Sequence, residues 1–172
     1  HAGCPFIAPA LHAGSTGQEF TMVDQAPGHD HRVVVGVDSS AGSAEALRWA
    51  LAYARLTGGS VEAVTAWQVP PMYAYAYGWT PTGIDDAGII RYAEKSLAET
   101  VAQVRGKDDH PVPLTTRVLE GPAAQVLLDA GKGAELMVLG SHGHGAFSGM
   151  LLGSVSQHCV QHATCPTVVI PK

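Results

Sequence analysis

Along this chain, short continuous apolar runs alternate with stretches in which apolar residues return every three or four positions. The run "HRVVVGVDSS" (His31 to Ser40) closes on Asp and two Ser, the form of a strand buried on both faces that delivers a polar loop at its C-terminal end. "GSAEALRWALAYARLTGG" places Ala44, Leu47, Leu51 and Ala54 on one stripe and exits at Gly58-Gly59, which predicts an amphipathic helix. "SVEAVTAW" (Ser60 to Trp67) predicts a second strand. From Ala87 to about Arg105, the residues Ile90, Ala93, Leu97, Val101 and Val104 keep helical spacing. "PLTTRVLEG" (Pro113 to Gly121) predicts a third strand. "PAAQVLLDAGKG" predicts a short helix with Pro122 in its first turn and its end at Gly131 or Gly133. "AELMVLG" reads as a fourth strand, "GSVSQHCVQHA" as a helix and "CPTVVIPK" as a fifth strand.

Strands that alternate with helices in this way predict an α/β fold, a single doubly wound sheet of parallel strands with helices on both faces and right-handed crossovers. Ligands of such open sheets sit beyond the carboxyl ends of the strands, where the winding reverses. The unusual loops of this chain follow its first and fourth strands. After the second strand, "QVPPMYAYAYGWTPTGIDD" keeps no period and reads as a long loop. Its alternating Tyr73, Tyr75 and Tyr77 fit an edge strand, a lid over a ligand, or plain packing.

Composition narrows the partner. The chain is 46% hydrophobic but only 6% aromatic, which suits helices packed closely on a sheet, and its 172 residues suffice for one domain with a real core. Fifteen acidic residues against ten basic ones give a net charge of -5, with no Lys/Arg run, so neither nucleic acid nor a membrane surface is expected as partner. No apolar stretch approaches the roughly 18 to 20 residues that span a bilayer. Cys4, Cys159 and Cys165 form no disulfide spacing, which fits a reducing, cytoplasmic compartment. Residues 1–30 read as an N-terminal extension before a domain at 31–172. Within the extension, native sequence is expected to begin at Met22, with the preceding residues an added segment.

The segment "LGSHGHGAFSGMLLGSVS" (Leu139 to Ser156) is dense in glycine, which is costly because glycine loses the most conformational freedom on folding. Its spacing is Gly140, two residues, Gly143, nine residues, then Gly153-Ser154. A glycine at the strand end permits a tight turn, and Gly153 and Ser154 fall at a helix start, whose unpaired N–H groups and dipole favour an anion. Ser154 is also a good N-cap residue. The segment lacks the Gly-Lys-Ser/Thr close of a P-loop, and "GHGAFSG" follows the fourth strand rather than the first, unlike the dinucleotide fingerprint. Small residues between the two ends would let backbone amides approach a phosphate chain, although a flexible connection accounts for the glycines alone.

Taken with "VVVGVDSS", "ALRWALAYA", "AELMVLGSHGHG" and the closing "HATCPTVVIPK", this spacing resembles the nucleotide-binding branch of the universal stress protein family, over Arg32 to Lys172. The resemblance implies five parallel strands in flavodoxin-like order, within a flavodoxin- or Rossmann-like fold of the adenine nucleotide alpha-hydrolase type, a homodimer, and bound ATP. It further implies that Gly140, Gly143, Gly153 and Ser154 hold phosphates and ribose, that Asp38 faces the adenosine, and that Ala66 offers backbone to the adenine edge. Family members that bind cyclic AMP leave AMP and cyclic AMP open as ligands.

The side chains agree in part. Asp38 can accept from ribose hydroxyls or an amino group, or hold a magnesium or manganese ion through water; it can also be a solvated helix cap. Ser39 and Ser40 can reach a phosphate, Val155 can offer its amide, and His142 and His144 can flank the phosphates. Gly36, Val37, Leu139, Gly145 and Ser156 complete the candidate set as neighbours of these groups.

His142, His144, His158, His162, Cys159 and Cys165 lie close in sequence, yet no paired C-x2-C half-site exists, and a structural metal is not expected. The glycine segment holds no lysine or arginine, so binding with at most slow hydrolysis is expected. Two rival readings are an interaction protein of the same fold with an empty loop, and a true hydrolase of the related fold. The apolar last strand, at Pro166 to Pro171, would pair with a second copy if it lies at the sheet edge.

Overall fold

The computed structural model describes residues 31–68, 86–106, 111–143 and 151–171. Among these residues nine elements alternate in chain order: β1 (Arg32–Gly36), α1 (Ala41–Thr57), β2 (Ser60–Trp67), α2 (Asp86–Arg105), β3 (Leu114–Glu120), α3 (Ala123–Ala130), β4 (Leu136–Gly140), α4 (Ser154–His162) and β5 (Thr167–Ile170). All four strand pairings are parallel. The predicted elements are thus present, with ends that differ by a residue or two. The Tyr73–Tyr77 segment and residues 1–30 lie outside the described residues.

The strand order is β3-β2-β1-β4-β5. This is the dinucleotide-fold order and not the flavodoxin-like one, 2-1-3-4-5, that the resemblance implied. The strands' own chemistry explains the correction. Flavodoxin-like order would bury β3 and expose β2 at an edge, but β3 is "LTTRVLE", with Thr115, Thr116 and Arg117 exposed, whereas Val61 to Val64 of β2 are buried. Polar β3 therefore takes the edge, and the all-apolar runs Val33–Val35 and Leu136–Leu139 sit side by side at the centre.

Alternation along these strands builds two cores. Val33, Val35, Val61, Ala63 and Val138 face α1 and α2, meeting Leu47, Ala50, Leu97 and Val101. Val34, Val64, Met137 and Leu139 face α3 and α4, meeting Val126, Leu127 and Cys159. Glu62 shares the second face and is only 6% exposed. Its carboxylate accepts from Arg32 at 2.5 Å and from Arg117 at 2.8 Å. Arg32 also donates to the carbonyls of Ala130 and Lys132 at the end of α3 and just past it, so this guanidinium partner of the buried acid is anchored in turn.

The first two crossovers run outward from β1 on one face; the third returns past β1 on the other, and the fourth continues outward from β4 on that same face. The winding therefore reverses between β1 and β4, and the carboxyl ends of these two strands open side by side.

Candidate functional site

At that reversal lies a crevice of about 200 Å³. Its floor is apolar, made by Val64, Leu127 and Leu139, and it stays open because Gly36 has no side chain: a Cβ there would lie 2.8 Å from a methyl carbon of Leu139. Val37, just past the end of β1, donates to the carbonyl of Val64 at 2.9 Å, the last backbone bond between this segment and β2. In a parallel strand the N–H and C=O of one residue point to the same neighbour, so those of Ala66 face the side where β1 has already ended. Ala66 lines the crevice there.

The loop after β1 is held by its own polar groups. Asp38 Oδ1 accepts the Ser40 N–H at 3.0 Å, Ser40 Oγ caps α1 by accepting the Ser43 N–H at 3.1 Å, and Ser43 Oγ donates back to the Ser40 carbonyl. The helix-cap role weighed for Asp38 thus falls to Ser40, while Asp38 fixes the turn that delivers it. Ser39 adopts φ 65°, left-handed backbone, and does not line the crevice, so this turn carries it away from the position where it was expected to reach a ligand.

The loop after β4 closes on itself. Ser141 donates its N–H to the carbonyl of Ile170 in β5 at 2.8 Å, and its own carbonyl accepts the Gly153 N–H at 2.7 Å, so α4 begins directly beside the end of β4. Gly140 has no left-handed φ, so a tight turn is not its use. A Cβ at Gly140 would lie 2.8 Å from the carbonyl carbon of Gly42, and one at Gly143 would lie 2.2 Å from Asp38 Oδ2. The first glycine lets β4 meet the start of α1, and the second brings the two loops together across the crevice mouth.

Gly153, not Ser154, is the N-cap of α4, and it offers no side-chain bond. Having no side chain, it leaves the N–H groups of Ser154 and Val155 in the first turn without a cap, directed at the crevice that both residues line. Ser156 spends its hydroxyl on the Gly140 carbonyl at 2.7 Å and so positions this turn against β4. His142 lines the opposite wall, its Nδ1 3.1 Å from Ser141 Oγ.

All helices of a parallel α/β fold start at the carboxyl ends of the strands, so α1, α3 and α4 all present their positive ends here. Among the described lining residues the ionisable side chains are Asp38 and His142. The predicted Gly36, Val37, Asp38, Ser40, Ala66, Leu139, Gly140, His142, Gly143, Gly153, Ser154, Val155 and Ser156 all line this one space, while His144 and Gly145 lie outside the described residues. Sequence reasoning missed Ser43, Val64, Ala123 and Leu127. Ala123 and Leu127 arrive because α3 crosses beneath β2 and β1 on its way to β4, and the small residues after Pro122 were their only sequence signal.

Comparison with known proteins agrees with this architecture. The universal stress protein family model matches residues 31–171. A universal stress protein of Mycobacterium tuberculosis is 36% identical over 139 residues, which cover 80% of this chain and 44% of that protein. The chain spans about half the length of the curated relatives it matches. Among solved structures, the universal stress protein from Archaeoglobus fulgidus in complex with dAMP aligns with TM-score 0.55 and 23% identity, covering 81% of this chain and 96% of that one. A universal stress protein in complex with cAMP aligns with TM-score 0.53 and 22% identity, covering 82% and 96%.

Proposed function

Because the chain belongs to the universal stress protein family, we propose that its β1–β4 crevice binds an adenine nucleotide. One observation carries this reading: an apolar slot, an unused strand edge at Ala66 and the uncapped amides of α4 converge at the point where the winding reverses. The slot suits a flat base. The Ala66 backbone can pair with an adenine edge, Asp38 can accept from ribose hydroxyls, and Ser154 and Val155 can donate their N–H groups to a phosphate. His142 and Ser40 flank the same space. The structures solved with dAMP and cAMP support a mononucleotide-sized occupant in related proteins. ATP, AMP and cyclic AMP are the ligands we propose to test.

A divalent ion fits this site only as a companion of the nucleotide. Among the described residues, Asp38 is the single lining carboxylate and already accepts the Ser40 N–H, so magnesium or manganese would be held through water and the ligand's own phosphates. No lysine or arginine joins the described lining to neutralise a leaving phosphate, which supports binding, with hydrolysis slow at most. We also propose a homodimer through Pro166 to Pro171, because β5 is an edge strand whose four residues are all half-buried. Cys159 and Cys165 are free thiols, in keeping with a reducing, cytoplasmic setting. No described helix is long and apolar enough to cross a membrane.

Equilibrium dialysis of ATP, AMP and cyclic AMP against metal-stripped and magnesium- or manganese-loaded protein tests the reading. Saturable binding of at least one nucleotide is expected. No affinity at millimolar ligand would favour an interaction protein that works through its surface alone.

A further inference from the structure

On the exposed side of α4, away from the crevice, His158 and His162 stand one turn apart, their rings stacked with centroids 4.3 Å apart and 25° between planes. The helix explains the pairing, since residues i and i+4 lie on one face with neighbouring side chains. The second histidine is also oriented. His162 Nδ1 lies 2.9 Å from the carbonyl oxygen of His158, a bond in which only a protonated Nδ1 can donate. In the neutral ring this leaves the lone pair on Nε2, facing outward. Metal-ligating histidines are held in the same way, with the far ring nitrogen donating to a backbone carbonyl and the near one left basic.

We propose that His158 and His162 form an open two-imidazole site for a borderline divalent transition cation of the nickel, copper or zinc class. A tetrahedral ion bonded at about 2.0–2.1 Å sets its two nitrogens roughly 3.3 Å apart with their lone pairs converging, so the exposed rings must swing out of their stack to bind it. Imidazole pairs select such ions over magnesium and calcium, which require oxygen ligands. Among the described residues no group of three or more His, Cys, Asp and Glu side chains converges to hold an ion, so water completes the coordination. The buried side of the same helix, at Ser156 and Cys159, packs against the sheet and α3, so an ion bridging two turns would brace the element whose first turn lines the crevice.

The whole chain would be titrated calorimetrically with nickel and zinc chlorides, with magnesium chloride as the control ion. His158→Gln and His162→Gln should each weaken one equivalent of nickel at least about tenfold, with magnesium silent. Moving the imidazole, with His162→Ala and Val160→His together, keeps the number of histidines but places the pair on different helix faces, and should weaken that equivalent as much. Copper-induced broadening of amide resonances should centre on α4. The site is refuted if the moved pair binds nickel as tightly as the parent, if the broadening centres elsewhere, or if no nickel binds below millimolar concentration. Unchanged circular dichroism in each variant separates loss of the ligand from loss of the fold.

Discussion

Gly143→Ala is the sharpest probe of the crevice, because it touches the proposed ligand site without touching the core. The new Cβ would lie 2.2 Å from Asp38 Oδ2, against the roughly 3.5 Å of ordinary contact, so the carboxylate must retreat by about 1.3 Å. That movement strains the bond from the Ser40 N–H to Asp38 Oδ1, now 3.0 Å long. Since Asp38 is exposed, the bond is worth about 1 kcal/mol at most. Gly143 is also exposed and has no left-handed φ, so alanine gains about 0.5 kcal/mol by restricting the unfolded chain. The two terms nearly cancel, and unfolding in urea should move by less than about 0.5 kcal/mol. Nucleotide affinity should fall more, because a displaced carboxylate and an added methyl group both intrude on the ligand, and a loss of about 1.4–2 kcal/mol corresponds to roughly 10- to 30-fold in Kd. The Asp38→Ala background separates the causes. There the methyl group meets no carboxylate, so adding Gly143→Ala should cost at least about 1 kcal/mol less than in the parent. An equal penalty in both backgrounds, by calorimetric titration with the tightest of the three nucleotides, would refute the coupling between the two loops.

Three further outcomes follow from the same geometry. Gly140→Ala should lower unfolding stability by about 1–3 kcal/mol in a urea titration, because its Cβ would press on the Gly42 backbone, which cannot rotate away as a side chain can. Ser39→Gly should raise stability by about 0.5–1 kcal/mol by relieving the left-handed backbone at φ 65°, again read in urea. Burial, and then the neighbouring Cys165, push the Cys159 thiol from 9.0 up to about 11, so the native protein holds it as the unreactive thiol at pH 8. Iodoacetamide labelling followed by peptide mass analysis should modify it only on unfolding. Since the folded state resists ionisation while the unfolded state ionises near pH 9.0, this residue's contribution to stability is intact below pH 9 and is lost as pH rises toward 11.

Sequence alone determined the order of strands and helices, because period two, period 3.6 and glycine or proline punctuation are local signals. It also located both loops of the crevice, since Asp38-Ser39-Ser40 and the Gly140-to-Ser154 spacing are contiguous stretches. The edge position of β3 was legible in its Thr and Arg content, yet the resemblance pointed to another strand order. Tertiary structure decided what each glycine is for, because the reasons lie across the fold: Gly42 opposite Gly140, Asp38 opposite Gly143, and Leu139 and Leu127 opposite Gly36. It alone brought Ala123 and Leu127 into the crevice and turned Ser39 away from it. Contacts between residues distant in sequence depend on which face a crossover takes and on how closely two backbones approach. Those are properties of packed elements and not of any segment read by itself.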